Sequence, residues 1–285
     1  MSHYAFRIVN VFTRGGALTG NPLCVFEDAR GLGEATLQAL ARQFNLSETT
    51  FILPSERATA RVRIFTPSYE MPFAGHPTLG TAHVVRALRE AGDEITLEMT
   101  AGVIPVAAVG SRWTLSANPP RWREAGETRA ELAAILGLEE GDIAERPLWV
   151  NAGKEQLVVP VASAEAVRRA RPRADAFSRL KSEDGQSMAY VFHDEGDARA
   201  AVRSRFFFPS GPAVLEDPAT GSACANLGGW FAALRPGADV TRTVSQGDEV
   251  RRPSTLFLAV RGGAVSVGGD VVELARGTLE LQAAP

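Results

Sequence analysis

The chain has 285 residues, 45% of them hydrophobic and 22% charged, with a formal net charge of -3. This length and apolar content provide for a substantial core, in two lobes as readily as in one large domain, and set wholesale disorder aside. A mildly acidic chain has no global pull toward nucleic acid or an anionic membrane, and the short runs Arg168-Arg169 and Arg251-Arg252 read as solvated faces, not a phosphate track.

Residues 4–12 open the chain as an apolar, strand-like run, with no basic region, apolar stretch and cleavage site of a signal peptide before it. No apolar segment approaches the ~20 residues that span a bilayer, so a cytoplasmic protein without a membrane partner is expected. A loop with Gly15, Gly16 and Gly20 leads to a short strand at 22–26. Residues 34–44 have helical spacing, with Leu37, Leu40, Ala41 and Phe44 on one stripe, and 49–53 and 60–65 are strand-like. A helix is predicted over 77–89, started by Pro77 and stopped before Gly92. Short strands follow at 95–99, 103–109 and 113–116; residues 118–122 break the pattern, and a lobe boundary is placed near 117–128.

The second half reads as helix 129–136, strands 149–152 and 155–161, helix 164–170 and strands 187–192 and 201–208. Helix 218–234 and strands 241–246, 254–260, 264–268 and 271–281 complete it. Many short strands with few helices do not fit a doubly wound parallel sheet. Neither a Gly-x-Gly-x-x-Gly run after the first strand nor a Walker-type run is present, which disfavours dinucleotide and P-loop sites. Cys24 and Cys224 read as buried free thiols. With no paired cysteine spacing, no His-Glu-x-x-His and four scattered histidines, no metal is expected.

The chain resembles itself. Arg63-Ile64-Phe65-Thr66-Pro67-Ser68 is similar to Arg205-Phe206-Phe207-Phe208-Pro209-Ser210, and Gly75-His76-Pro77-Thr78-Leu79-Gly80-Thr81-Ala82 to Glu216-Asp217-Pro218-Ala219-Thr220-Gly221-Ser222-Ala223. The Pro-to-Gly separations are 13 residues (67 to 80) and 12 residues (209 to 221), so one gap aligns both segments. His76 then matches Asp217, and Thr81 matches Ser222. Asp217 is expected to cap its helix, with Pro218 next; His76 is a poorer cap, and ligand contact would explain it. Each helix start offers free N–H groups and partial positive charge to an anion. If the halves face each other across a pseudo-two-fold axis, both starts point into one cleft suited to a small anionic organic molecule.

Four ordered segments carry a family resemblance: Gly20-Asn21-Pro22-Leu23-Cys24-Val25-Phe26, Asn45-Leu46-Ser47-Glu48-Thr49-Thr50-Phe51, Pro72-Phe73-Ala74-Gly75-His76-Pro77-Thr78-Leu79-Gly80 and Glu216-Asp217-Pro218-Ala219-Thr220-Gly221-Ser222-Ala223. They resemble the hallmark segments of the PhzF-like, phenazine-biosynthesis-like family, and Gln246-Gly247 with Arg252-Pro253-Ser254 is similar to its late segment. The resemblance implies an α+β, diaminopimelate epimerase-like fold of two pseudo-symmetric lobes, each a curled, mostly antiparallel sheet around a central helix. The N-terminal lobe would be 1–117, completed by about 277–285, and the C-terminal lobe 118–276. It further implies a homodimer and a cofactor-independent isomerase similar to trans-2,3-dihydro-3-hydroxyanthranilate isomerase.

The residues matching the family's acid–base glutamate, histidine and aspartate are Glu48, His76 and Asp217. Ser222 matches the serine that meets the substrate carboxylate, beside backbone N–H groups at Gly75 and Gly221. Asn21 and Ser210 are further polar candidates. On this reading Glu48 moves a proton within a small unsaturated or cyclic carboxylic acid while His76 and Asp217 hold it. Loops 69–71 and 211–215 would shape the pocket; His83 reads as packed, and His3 and His193 as surface residues. A non-catalytic metabolite-binding or interaction protein on the same scaffold is the alternative. An amino-acid epimerase is disfavoured, because the cysteine positions of that relative fall at Ala74 and about Pro218.

Overall fold

A computed structural model describes residues 2–144 and 146–281. It divides into two compact units, residues 2–115 with 268–281, and residues 116–267. The first unit holds β1 (Ser2–Val11), β2 (Asn21–Phe26), α1 (Glu34–Phe44), β3 (Glu48–Leu53), β4 (Ala60–Phe65) and β5 (Glu70–Met71). It continues with α2 (Gly75–Arg89), β6 (Glu94–Met99), β7 (Gly102–Val109) and β8 (Arg112–Ser116). The second holds β9 (Arg121–Glu124), α3 (Arg129–Leu136), β10 (Leu148–Asn151), β11 (Glu155–Pro160), α4 (Ala164–Arg169), α5 (Ala174–Phe177) and β12 (Ala189–Asp194). Then come β13 (Ala201–Ser210), β14 (Ala213–Asp217), α6 (Gly221–Leu234), β15 (Val240–Gln246) and β16 (Ser254–Arg261). The last strand, β17 (Ala264–Leu281), begins in the second unit and ends in the first.

The units repeat one pairing order. In the first, β1–β2 is antiparallel, β2–β3 parallel, β3–β4 and β4–β5 antiparallel, β4–β6 parallel, and β6–β7 antiparallel. In the second, β10–β11, β11–β12, β12–β13, β13–β14, β13–β15 and β15–β16 follow the same sequence of senses. The parallel steps are the ones that need a long crossover, and each carries helix: α1 and α2 in one unit, α4 with α5 and α6 in the other. The result is an α+β fold, mostly antiparallel.

Each unit wraps its sheet around one helix. α2 packs against β1, β2, β3, β4, β6 and β7, and α6 against β9, β10, β11, β15 and β16. Residues 76–82 of α2 and 223–231 of α6 are buried without a break, so neither helix presents a polar stripe to solvent. That enclosure accounts for the small residues. A Cβ on Gly80 would lie 2.7 Å from Leu23 Cδ2, and one on Gly229 2.7 Å from Pro120 Cβ. α1 is one-sided instead: Leu37, Leu40 and Ala41 pack with Cys24, Phe26, Phe51 and Phe65. Among the described residues, no helix is long and apolar enough to cross a membrane.

Several boundaries differ from the sequence expectation. The chain returns to the first unit at residue 268, ahead of the expected 277, and 282–285 of the expected completing segment lie outside the described residues. The break predicted after 268 does not occur. Gly268 and Gly269 stay in the strand and mark close approach, not a turn: a Cβ there would meet Thr114 Oγ1 at 2.5 Å and Phe12 Cδ1 at 2.2 Å. β9 begins inside the stretch read as pattern-breaking; its charged alternation hides a strand paired with β10, and Arg123 reaches Glu155 at 2.9 Å. The helix over 218–234 begins at Gly221, because β14 runs through Asp217.

Candidate active site

In the first unit the site starts from a turn that only glycine can make. Gly20 has φ +78, and a Cβ there would sit 2.3 Å from the Val11 carbonyl oxygen. This turn delivers Asn21, fully buried, opposite Val11 at the start of β2. Leu23, two residues on, lies beside Glu48 in the parallel β2–β3 ladder. Glu48 is the first residue of β3, three residues after the left-handed Asn45 that ends α1. α2 starts at Gly75, with His76 second in the helix and Pro77 third, later than the first position its sequence suggests.

His76 Nε2 lies 3.4 Å from Glu48 Oε2, with side chains 7% and 15% exposed. Burial pushes the imidazole down to about 3, against a smaller opposing effect from its hydrogen bond to the Pro22 backbone. The ring is therefore neutral at ordinary pH, and its contact with Glu48 is not an ion pair. Proline offers only a carbonyl, so the ring must donate to it. Nε2 has no hydrogen-bond partner, so the donor is Nδ1. The tautomer is thereby set, and Nε2 presents a lone pair to the Glu48 carboxyl. A proton on that carboxyl would complete the pairing. Asn21, Glu48, Gly75 and His76 thus come together within one unit. A buried Thr50–Thr81 hydroxyl bond of 2.8 Å pins α2 to β3 beside them.

In the second unit Asp217 does not cap α6. It closes β14 opposite Phe206, and the N-cap is Thr220. The Thr220 hydroxyl donates to Asp217 Oδ2 at 2.5 Å. Gln246 Nε2 donates to the Asp217 carbonyl at 2.8 Å and to Thr220 Oγ1 at 3.0 Å. Gly247, with φ +81, lets the chain after β15 pass this segment; a Cβ would lie 2.5 Å from the Pro218 carbonyl oxygen. Gly221 and Ser222 form the half-buried first turn of α6, and Ser222 Oγ accepts from Gln156 Nε2 at 2.9 Å. In neither α2 nor α6 does the N-cap side chain bond the first turn, and neither first turn contains an acidic residue. Both starts keep the chemistry of an anion-binding helix end.

Ser210 is not brought to this cluster. It is exposed at the tip of the β13–β14 hairpin, paired with Ala213. Four residues of strand separate it from the Phe206–Asp217 rung, roughly 13 Å. Residues 213–215 of the expected pocket loop are strand β14, and Glu70 is held by Arg63 at 2.5 Å. His83 is packed as expected, accepting from Trp113 Nε1 at 3.4 Å, and His3 is exposed. His193 departs from its surface reading: it is half-buried, with Nδ1 3.0 Å from the Val161 carbonyl. Both cysteines are buried free thiols, and burial raises each thiol pKa.

Gln156 and Asn226 carry no role in the sequence expectation, and Thr220 and Gln246 enter it only as parts of family segments. A signal existed for two of them. Gln156 is a lone amide leading into the apolar run 157–160 and Asn226 a lone amide in an apolar helix, and such residues need a partner when buried.

Residues 9–277 match the family profile described as phenazine biosynthesis-like protein. The chain is 35% identical to an uncharacterized isomerase of Pasteurella multocida, over 98% of this chain and 95% of that protein. It is 34% identical to the trans-2,3-dihydro-3-hydroxyanthranilate isomerase of Pseudomonas fluorescens, over 93% of this chain and 95% of that protein. Its structure is similar to that of a phenazine biosynthesis protein of the PhzF family from Bacillus anthracis, with a TM-score of 0.88 and 25% identity over 99% and 100% of the two chains.

Proposed function

The chain belongs to the phenazine biosynthesis-like family, and on that premise we propose that it is an isomerase that moves a proton within a small unsaturated or cyclic carboxylic acid. The trans-2,3-dihydro-3-hydroxyanthranilate isomerases among its relatives act on a molecule of this class, as their name states. The reaction is proposed to run on side-chain acid–base chemistry alone. Glu48 removes a proton from a carbon activated by conjugation and returns it elsewhere. Once Glu48 carries the proton, His76 Nε2 accepts from it, and the ring stays neutral throughout. In the first unit, Gly75 and Asn21 are the proposed substrate contacts beside the Glu48–His76 pair; in the second, Asp217, Ser222 and the Gly221 N–H at the start of α6 form a proposed anion-binding set. Ser210, at its hairpin tip, has no part in this set.

The observation that carries the reading is the contact between a mostly buried carboxyl and a neutral imidazole of assigned tautomer. A carboxyl so placed can exchange a proton without first shedding a full hydration shell. A positioned acid–base group contributes roughly 10²–10⁴-fold to rate. Two-thiol racemisation has no support: Ala74 and Pro218 stand where thiols would be needed, and Cys24 and Cys224 are buried and held protonated.

The test is deuterium incorporation in D₂O from a panel of unsaturated and cyclic carboxylic acids, comparing wild type with Glu48→Gln. Substrate-dependent incorporation is expected in the wild type, falling by roughly 10²–10⁴-fold in the variant. Incorporation unchanged by the substitution would remove Glu48 from the mechanism.

A further inference from the structure

We propose that Gln156 and Asn226 are positioning residues that fix the Ser222 hydroxyl as a hydrogen-bond donor toward the anionic group of the substrate. The proposal rests on the reading of Ser222 as a substrate contact and adds what sets its polarity.

Two backbone groups determine the sense of the chain of bonds. The Ala152 N–H can only donate, and it donates to Asn226 Oδ1 at 2.8 Å. The Lys154 carbonyl can only accept, and it accepts from Asn226 Nδ2 at 2.8 Å. The Asn226 amide is therefore oriented by main chain on both sides. The second hydrogen of Nδ2 goes to Gln156 Oε1, also at 2.8 Å. This leaves Gln156 no choice: its Oε1 is occupied as an acceptor, and its Nε2 faces Ser222 Oγ at 2.9 Å. Ser222 Oγ accepts there, and its own hydrogen remains for another acceptor. In the first turn of α6, half-buried, that acceptor is a ligand oxygen, and a carboxylate is the strongest candidate.

Packing alone does not call for this arrangement. Asn226 is fully buried between Ala225 and Leu227 of α6, and Gln156, between Glu155 and Leu157 of β11, is 2% exposed. Two buried amides must each find every partner to break even, and an apolar pair of similar volume would fill the same space without that demand. What the amides supply is direction: donor follows acceptor from Ala152 to Ser222, and bonds aligned in series polarise one another.

The experiment measures the affinity of 3-hydroxyanthranilate by titration calorimetry for wild type, Ser222→Ala, Gln156→Glu and Gln156→Met. Thermal unfolding of each variant checks that it is folded. At about pH 8 the carboxylate introduced by Gln156→Glu accepts from Ser222 and turns its hydrogen away from the ligand. Binding is then expected to weaken roughly 10- to 100-fold, as in Ser222→Ala. At about pH 5 the buried introduced carboxyl takes up a proton, offers a donor again, and affinity returns toward wild type. Gln156→Met stays weak at both pH values. A pH-independent loss in Gln156→Glu, or wild-type affinity at about pH 8 while Ser222→Ala is weakened, overturns the positioning role. Wild-type affinity in Ser222→Ala overturns the underlying assignment of Ser222 instead, so the two failures are told apart.

Discussion

The imidazole of His76 is neutral for a reason that belongs to its own surroundings: burial outweighs the bond that Pro22 accepts from it. Its folded pKa is about 3 against 6.5 when free, so between those values the unfolded chain binds a proton that the folded chain does not. Stability contributed by this group is therefore complete above about pH 6.5 and falls as the pH drops toward 3. His76→Asn keeps a donor for Pro22 and does not titrate. Its unfolding free energy is expected to depend on pH less steeply in that window, by up to about 1.4 kcal/mol per pH unit. Equal slopes in urea unfolding of the two proteins would contradict a buried neutral ring. The candidacy of His76 was readable in the sequence from its odd place at a helix start. The identity of the donating nitrogen was not, because it depends on a proline carbonyl 54 residues earlier in the chain (76 minus 22).

The two matched hairpins share more than their Pro-Ser signature. Arg63 pairs with Glu70 at 2.5 Å and lies 5.0 Å from the Phe65 ring centre; Arg205 pairs with Glu216 at 2.6 Å and lies 4.7 Å from that of Phe207. Register explains the likeness, since Phe65 faces Glu70 and Phe207 faces Glu216. The settings differ. Arg205 also donates to the carbonyls of Val167, Arg168 and Ala170 at the end of α4, and both members of its pair are 7% exposed. Removing one partner there strands a buried charge. Glu216→Ala is expected to cost about 3–5 kcal/mol in denaturant unfolding. Glu70→Ala, in the more open pair, is expected to cost about 1 kcal/mol or less; equal costs would show that burial does not set the difference. The same hairpin explains why α6 starts late. Pro218 is a sound start signal, but Asp217 is still paired with Phe206, so the helix waits for the turn through Thr220.

Across the whole molecule, one repeated order of strand pairings is built twice, and a single strand then leaves the second unit to complete the first. β1 pairs with β17 from Ser2–Leu281 to Val11–Val271. A fragment of residues 2–115 lacks that partner along a full edge of β1. It is expected to show no cooperative thermal transition by circular dichroism, and to regain one when residues 268–281 are tethered ahead of residue 2. A cooperative transition in the untethered fragment, at the temperature of the full chain, would show that β17 is dispensable to the unit.

Periodicity, turn residues and the internal repeat determined most of the strands and helices, that the pattern occurs twice, and which family the chain joins. Those properties depend on neighbours within a few residues, or on order along the chain, and a string of residues records both. Tertiary structure alone decided that β17 runs unbroken past Gly268, that Asp217 ends a strand, that His76 faces Glu48 with its lone pair, and that Asn226 donates to Gln156, which in turn donates to Ser222. Each depends on a backbone carbonyl, a backbone N–H or a side chain brought in from a distant segment, and hydrogen-bond direction and close packing exist only once those segments meet.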